Sequence, residues 1–258
     1  MQWEAIFLAG GKLESSFEAF SALPSKAYIP LLGKRMGEYV LDSLRNIPRL
    51  KRIISVCPPG GEPFADTFGT EAGNSLVESM GEGFKLVLPE TEMALLLACD
   101  LPCLTTEAVS AFMDQVEKNR VGLSYGMVSR EVSEAAFPGT PHTYVRLKEG
   151  TFCGSGLFAM APQYFPSLRS FTDRSARSRK SIIKLTQILG IPFLIKLLLK
   201  RLSLRDVEER ASELFGFPAR GIPSEFPEIA FNVDDPRSLS LAATFLQRRT
   251  SPWTQLKS

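Results

Sequence analysis

The hydrophobic pattern of the first half of the chain alternates between short, continuous apolar runs and longer stretches with apolar residues at helical spacing. Short apolar runs closed by glycine, proline or aspartate are typical of buried parallel strands. Strands that alternate with helices indicate βαβ units, and therefore an α/β fold with a parallel sheet and helices on both faces. Strands are predicted at 5–9, 52–57 and 93–99, and helices at 37–46, 75–81 and, after the capping residue Thr105, through Lys118.

The second half continues this pattern less regularly. A chain of 258 residues is long enough for one large α/β domain. We therefore predict a single domain over 1–258 with a helical insertion or lid at 170–225. Proline at a first helical position favours a helix over 236–248. Further strands are predicted at 122–128, 143–147, 156–161 and 229–233, and helical hairpins at 179–215, broken near 190–192.

Charge is unevenly distributed along the chain, although the net charge is only +2. The stretch from Arg174 to Arg205 holds nine basic residues and no acidic one, whereas the other 226 residues carry 21 basic and 28 acidic side chains. Such asymmetry indicates an anionic partner for this region. Nucleic acid is disfavoured as that partner, because only one aromatic residue that could stack on a base, Phe193, lies among the basic ones.

The apolar and basic residues of 194–205 leave three interpretations open. They could form an amphipathic helix on an anionic membrane surface, a helical lid over a substrate site, or a protein interface. The segment is too interrupted for a membrane-spanning helix, and the N-terminus lacks the basic region of a signal peptide. Four cysteines in apolar contexts are interpreted as buried free thiols. Because free thiols suit a reducing compartment, we predict a cytoplasmic protein.

Gly10 and Gly11 close the first predicted strand. Glycine accepts positive φ and a close ligand, and free backbone N–H groups after a strand can bind an anion. Lys12 and Lys26 would supply positive charge there. The alternative is an ordinary strand-to-helix turn with solvated lysines. The motif matches neither GxGxxG nor the P-loop, which disfavours an NAD(P)-dependent oxidoreductase.

Carboxylates follow two other predicted strands, at the sheet edge where ligands bind in such folds. Asp100 lies between an apolar strand and a Leu-Pro pair, a placement suited to Mg²⁺. Asn232 and Asp234 would point to the same face of a strand and could complete the metal site. Helix capping or turn formation is the alternative for all three residues. The only histidine, His142, has no partner at triad spacing, which argues against nucleophilic catalysis.

Two further motifs are candidates for substrate binding. Gly154 and Ser155 lie in a glycine-rich stretch that suits a sugar or phosphate, or else a plain hairpin turn. Arg179 and Lys180 could hold a phosphate at a helix start, where the helix dipole and the side chains act together. A solvated charge cluster is the alternative for this pair.

The ordered motifs resemble the nucleotidyltransferase superfamily, and within it the MobA-like NTP transferases. The resemblance spans nearly the whole chain, because the motifs occur in the order that the family has. The stretches at 144–162 and 178–190 are similar to a bacterial subgroup of this branch. The motifs are LAGG at 8–11 followed by Lys26, KAYIPLLGKRMGEYVLDSL at 26–44, CDLPCLT at 99–105 and FNVDDPRSLSLA at 231–242.

This resemblance implies a doubly wound, Rossmann-like, mixed and mostly parallel sheet whose first loop wraps an NTP. It also implies Mg²⁺-dependent transfer of an NMP group from an NTP to a small phosphorylated acceptor, with release of pyrophosphate. With the candidates above, the predicted site residues are Ala9, Gly10, Gly11, Lys12 and Lys26 for the nucleotide, Lys26 and Asp100 for catalysis, Gly154, Ser155, Arg179 and Lys180 for the acceptor, and Asp100, Asn232 and Asp234 for Mg²⁺.

Three departures from the family pattern keep an alternative open, a non-catalytic nucleotide- or membrane-binding protein with a degenerate transferase site. The first loop, 12–25, is long and contains no arginine. Gly154-Ser155-Gly156 stands in place of Gly-Gly-Asn, and Glu78-Ser79 in place of a Glu-Asn pair. The acceptor, the preferred base and the oligomeric state do not follow from the sequence.

Overall fold

A computed structural model describes residues 1–11, 13, 15–20, 22–176 and 191–250 of the chain. The strands are β1 (Trp3–Leu8), β2 (Pro30–Leu31), β3 (Lys34–Arg35), β4 (Leu50–Cys57), β5 (Phe68–Glu71), β6 (Met93–Ala98), β7 (Leu123–Ser129), β8 (Tyr144–Leu147), β9 (Gly150–Met160) and β10 (Ala219–Ser224). The helices are α1 (Met36–Arg45), α2 (Leu76–Lys85), α3 (Thr106–Asn119), α4 (Arg130–Ala136), α5 (Phe165–Ala176), α6 (Ile191–Leu198), α7 (Leu204–Phe215) and α8 (Pro236–Thr250).

Eight of these strands form one mixed sheet with the order β10-β7-β9-β6-β1-β4-β5, and β8 pairs with β9. Strand β1 pairs in parallel with both β4 and β6, and β9 runs antiparallel between β6 and β7. The chain first extends the sheet on one side of β1 and then crosses with β6 to the other side. Such a switch point is where open α/β sheets bind ligands, beyond the carboxyl ends of the strands. The predicted α/β, doubly wound and mostly parallel fold is confirmed.

The helices cover both faces of this sheet, because the central strands are apolar on both faces. On one face, Phe7 of β1 belongs to the main core together with apolar residues of α1 and α3. On the other face, Ile6 packs in a separate cluster with Met80 of α2 and Phe165 of α5. The helix start predicted at Thr105 is confirmed, since Thr105 Oγ1 accepts a hydrogen bond from Ala108 N at 3.1 Å.

The last strand of the sheet differs from the sequence prediction. Residues 229–233 form no strand: a 3₁₀ turn covers Pro227–Ile229 and irregular backbone follows. Their apolar side chains are explained by burial alone, because Ile229, Phe231 and Val233 are 0% exposed. The strand that the sequence did not predict is β10, which pairs in parallel with β7 at the sheet edge. Its sequence ARGIPS contains glycine and proline, which an edge strand tolerates, so the hydrophobic pattern did not reveal it.

The glycine-rich stretch before residue 157 is also not a loop or turn. It lies inside β9, and the hairpin turn to β8 lies earlier, because Leu147 pairs with Gly150. The ladder between β7 and β9 shifts register here, as Tyr125 faces Phe158 while Met127 faces Gly154. The glycines therefore accommodate an irregularity within a strand, a feature often found next to active sites.

The region predicted as a helical insertion or lid, 170–225, consists in its described part of helices α5 to α7 and strand β10. Residues 177–190, with Arg179 and Lys180, lie outside the described residues, and the lid role stays a prediction. The interpretation of 194–205 as one amphipathic helix is wrong, because α6 ends at Leu198, Lys200 has a φ of 55° and α7 begins only at Leu204. Contact with a membrane surface stays a prediction. Within the described residues, no helix is long and apolar enough to cross a membrane.

Candidate active site

The carboxyl edge of the sheet brings together four side chains from three segments that are far apart in sequence. Lys26 Nζ donates to Asp100 Oδ2 at 3.1 Å and to Asp234 Oδ1 at 2.5 Å. Asn232 Nδ2 donates to Asp100 Oδ1 at 2.9 Å. We call these four residues the Lys26 cluster. The predicted catalytic and metal-binding residues thus lie in one hydrogen-bonded group.

Lys26 is presented by the 3₁₀ turn Lys26–Tyr28. Ser25 begins this turn, since its Oγ accepts a hydrogen bond from Ala27 N at 3.3 Å. Ala27 and Tyr28 are buried in the main core, and Lys26 itself is only 7% exposed. The turn therefore buries the aliphatic stem of the lysine and delivers its ammonium group to the sheet edge.

Asp100 follows β6 directly and is fixed through both its backbone and its side chain. Its carbonyl oxygen accepts from Val233 N at 2.9 Å, which ties the end of β6 to the segment that carries Asn232 and Asp234. Burial raises the pKa of Asp100, although the ammonium group of Lys26 and the Asn232 amide act in the opposite direction. A second cation near this carboxylate would favour its ionised form.

The aspartates that begin α8 divide two tasks between them. Asp235 takes the capping role, because its Oδ1 accepts from Ser238 N at 2.7 Å. Asp234 directs its carboxylate to Lys26 instead, and its side chain remains 51% exposed. Asn232 and Asp234 therefore converge through the geometry of a loop, and the prediction that they share one face of a strand is wrong.

Gly10 and Gly11 serve different purposes, and neither has a positive φ. A Cβ atom on Gly10 would lie 2.1 Å from Ala72 Cβ, whereas one on Gly11 would meet nothing within 4 Å. Gly10 is therefore required by close packing, and the positive-φ argument is wrong for both residues. The backbone N–H of the preceding Ala9 donates to Val56 O at 2.8 Å and so belongs to the sheet. Lys12 lies outside the described residues.

We expect Gly10→Ala to lower the free energy of unfolding by about 1–3 kcal/mol, because the new methyl group overlaps Ala72. Urea unfolding measures this change. Gly11→Ala is the matched control and should change the free energy of unfolding by less than about 0.5 kcal/mol. Adding Ala72→Gly to Gly10→Ala should restore most of the loss. A Gly10→Ala protein as stable as the parent would contradict the packing role.

The described part of the first loop is anchored by an aromatic side chain. Phe17, in the 3₁₀ turn Ser15–Phe20, is 1% exposed and packs in one cluster with Phe231 and Val233. Ser16 Oγ also donates to the backbone oxygen of Asp234 at 2.9 Å. The loop is thus attached to the segment that supplies Asn232 and Asp234, which is a structural use for its unusual sequence.

A cavity of about 980 Å³, which we call the polar cavity, lies against the Lys26 cluster. It extends along the sheet edge from the segment after β5, past the ends of β1 and β6, to β9 and β7. Small-molecule sites usually measure about 300–1,000 Å³, so this cavity has room for more than one substrate. Its wall includes Gly10, Gly11, Lys26, Pro58, residues 72–76, Ser79, Asp100, Tyr125, Ser155, Gly156 and Phe158.

Residues 72–79 were not predicted as site residues, although most of them line the polar cavity. They form the turn into α2, where Ser75 Oγ accepts from Glu78 N at 3.2 Å and Asn74 N donates to Glu78 Oε2 at 2.8 Å. The Ser-x-x-Glu spacing is a sequence signal for a helix start. That signal predicts where the helix begins, but it does not predict that the turn lines the cavity. The turn is brought to the cavity by the preceding strand β5, which has no clear hydrophobic pattern.

Of the predicted acceptor residues of β9, Ser155 lies at the other end of the polar cavity, whereas Gly154 does not line it. Ser155 lines it, but its hydroxyl group donates to Leu157 O at 2.9 Å and accepts from Leu157 N at 3.2 Å. A Cβ atom on Gly154 would lie 2.2 Å from Tyr125 Oη, so glycine is needed beneath that ring. The acceptor-binding roles of Gly154 and Ser155 stay predictions.

The Lys26 cluster fits a hard divalent cation that shares its ligands with a substrate. Its one ammonium and two carboxylate groups leave a net charge of −1. Mg²⁺ is usually bound through one or two carboxylates together with substrate phosphates, rather than by an all-protein cage. The described residues contain no group of three or more His, Cys, Asp or Glu side chains that could hold a metal ion.

The description of the family whose model matches residues 5–186 is "MobA-like NTP transferase domain". This match covers well over half of the chain. The chain therefore belongs to the MobA-like NTP transferase domain family and is a nucleotidyltransferase.

Similar proteins support this assignment either by sequence identity or by fold alone. A solved structure of a hypothetical transferase from Thermus thermophilus is 32% identical to this chain and has a TM-score of 0.81. The match covers 93% of this chain and 100% of the chain in that structure. The 2-C-methyl-D-erythritol 4-phosphate cytidylyltransferase of Thermus thermophilus is 15% identical over 96% of this chain and 100% of its own, with a TM-score of 0.58, and shares the fold. The bifunctional protein GlmU of an Exiguobacterium species is 32% identical over 123 residues, 44% of this chain but only 26% of GlmU.

Proposed function

We propose that this protein transfers an NMP group from an NTP to a small phosphorylated acceptor and releases pyrophosphate. The observation that carries the proposal is the ammonium group of Lys26, held between Asp100 and Asp234 in the wall of the polar cavity. In a family of NTP transferases, a cationic group at the switch point of the sheet is suited to stabilise phosphate charge.

In the proposed reaction, an oxygen of the acceptor phosphate forms a bond with the α-phosphorus of the NTP. The bond from this phosphorus to the oxygen that bridges to the β-phosphate breaks, and pyrophosphate leaves with that electron pair. No covalent enzyme intermediate is needed, so the protein contributes positioning and charge stabilisation. Lys26 donates hydrogen bonds to the phosphate oxygens, and Gly11 leaves its side of the polar cavity open for their approach.

The same cluster is proposed to hold the metal cofactor. Asp100 and Asp234, with Asn232 beside them, would hold Mg²⁺, which supplies Lewis-acid stabilisation of negative charge on the phosphates. Asn232 orients Asp100 through the amide hydrogen bond to Oδ1, so that Oδ2 faces Lys26. The backbone bond from Val233 N to Asp100 O keeps this arrangement together.

The two ends of the polar cavity suggest how two substrates would share it. The segment 72–79 packs against Gly10 and continues the wall beside the first loop, so we place the nucleoside at this end. Ser155 and Tyr125 form the opposite end, beyond Asp100, where we place the acceptor. The α-phosphate would then lie between the two ends, next to the Lys26 cluster.

Calorimetry with each NTP, with and without Mg²⁺, followed by a pyrophosphate-release assay with a set of phosphorylated acceptors, tests this function. We expect at least one NTP to bind more tightly with Mg²⁺ and one acceptor to trigger pyrophosphate release. NTP binding without release for any acceptor would favour the non-catalytic alternative. If no NTP bound under any condition, the proposal would be overturned.

A further inference from the structure

A second cavity, which we call the apolar cavity, lies beside the polar one. It measures about 520 Å³ and is a partly open cleft between strands β7 to β10 of the sheet and helices α2, α5 and α7. Its wall is almost entirely hydrocarbon, with Met80, Met127, Phe152, Leu168 and Val207 among the contributors. Protein interiors are close-packed and rarely leave voids larger than a water molecule, so an apolar space of this size is suited to a ligand.

The few charged groups at the wall of the apolar cavity are already paired. Glu208 Oε2 accepts from Arg220 Nη1 at 2.5 Å, and Glu208 Oε1 accepts from the backbone N–H of Gly221 at 2.9 Å. A polar ligand would find little to bind, because an unpaired polar group loses free energy in an apolar site. A hydrocarbon ligand would lose nothing of this kind.

The apolar cavity adjoins the polar cavity along β7, β9 and the start of α2. Leu76, Tyr125 and Phe158 line both cavities. Two neighbouring residues of β9 line different cavities: Gly154 lines the apolar cavity and Ser155 lines the polar one. One molecule that lies along this part of β9 would therefore contact both environments.

Exposed apolar side chains mark the rim of the apolar cavity. Leu76 is 63% exposed, Val145 45% and Tyr125 43%, and all three belong to its wall. Large contiguous apolar surface of this kind usually marks a binding site.

We propose that the apolar cavity holds a hydrocarbon chain of the phosphorylated acceptor. The acceptor is then a phosphate monoester with an apolar substituent, whose phosphate reaches the Lys26 cluster through the polar cavity. This inference rests on the proposed function, because the phosphate end is the nucleophile of that reaction. It commits the site to a class of acceptor that the family assignment does not specify.

Binding of butyl, octyl and dodecyl phosphate, each below its micelle concentration, tests this inference by calorimetry in the presence of Mg²⁺ and an unreactive NTP analogue with a methylene group between the α- and β-phosphorus atoms. We expect affinity to rise by about fourfold for each methylene group that enters the apolar cavity, and therefore by roughly 250-fold over the four methylene groups from butyl to octyl phosphate. In a parallel pyrophosphate-release assay, the longer esters should be the better acceptors.

Three variants test whether the rise in affinity with chain length arises in the apolar cavity. Ala211 of α7 lines the apolar cavity, so Ala211→Trp should fill it and abolish most of the gain with chain length. Glu209→Trp places the same side chain at an exposed position of the same helix and should keep the gain. Leu198→Ser removes an 80% exposed leucine from α6, outside the cavity, and should also keep it. NTP binding by each variant reports whether the fold is intact.

Each other outcome overturns the inference or separates it from the proposed function. Equal affinity for all chain lengths, with NTP binding preserved, would overturn the hydrocarbon acceptor and leave the transferase proposal standing. A gain that persists in Ala211→Trp but disappears in Leu198→Ser would show adsorption to the surface of α6 and would also overturn it. No NTP binding in the parent protein would instead refute the proposed function on which it rests.

Discussion

Lys26→Met should lower kcat by about 10²–10³-fold, the usual cost of removing one preorganised group that stabilises transition-state charge. Methionine keeps the length of the buried stem while it removes the ammonium group that contacts Asp100 and Asp234. Without that positive charge, two carboxylates face each other at the sheet edge, which raises the pKa of one of them. Pyrophosphate release under saturating NTP, Mg²⁺ and acceptor measures the change in kcat.

The matched control for this prediction is Lys34→Met. Lys34 is an exposed lysine whose Nζ contacts Asp42 Oδ2 at 2.8 Å, and it lies outside the polar cavity. We expect its kcat to stay within about twofold of the parent, since exposed ion pairs contribute about 0–1 kcal/mol. Equal kcat values for Lys26→Met and the parent would rule out the catalytic role of Lys26.

Asp100→Asn should raise the Mg²⁺ concentration needed for half-maximal activity and lower kcat by about 100-fold or more, because a metal-held charge is worth several kcal/mol in the transition state. Asparagine keeps the size of the side chain and an oxygen for the Asn232 amide, but it removes the negative charge. The test is a Mg²⁺ titration of the pyrophosphate-release assay.

The same variant separates catalysis from stability. Burial already disfavours the charged form of Asp100, and Lys26 keeps Asp234 as a partner. We therefore expect the free energy of unfolding of Asp100→Asn to stay within about 1 kcal/mol of the parent in urea. Asp42→Asn, a surface change in α1, should alter neither property. An Asp100→Asn protein with the parent's Mg²⁺ dependence would show that Asp100 does not bind the metal.

Sequence reasoning grouped most residues of the candidate active site because their signals are local. An apolar strand that ends in an aspartate or in two glycines can be recognised within ten residues, and parallel strands end at the same edge of a sheet. Asp100 and the segment 232–234 could therefore be expected near the two glycines. Lys26 follows no predicted strand and was assigned to the same site as a positive charge and by the resemblance to the family. The roles of the two aspartates before α8 could not be distinguished in this way. Asp234 and Asp235 are neighbours, and the course of the backbone decides which of them caps the helix.

Other parts of the protein left little trace in the hydrophobic pattern. Strand β10 lies at an edge and contains glycine and proline, so its pairing with β7 is decided by the neighbouring strand rather than by its own propensity. Gly10 was explained by conformation, whereas contact with Ala72, far away in sequence, is the reason for it. Both cavities belong to this group, since their walls join residues from many separate elements.

The amino-acid sequence by itself determined the α/β class, the central strands, and the charged residues at their ends, because these depend on hydrophobic periodicity and on short-range turn chemistry. Only the tertiary structure decided how those residues are used. It placed Lys26 between two carboxylates, anchored the first loop through Phe17, and left an apolar cavity beside the polar one. These features depend on contacts between segments that are distant in the chain, and such contacts carry no periodic signal.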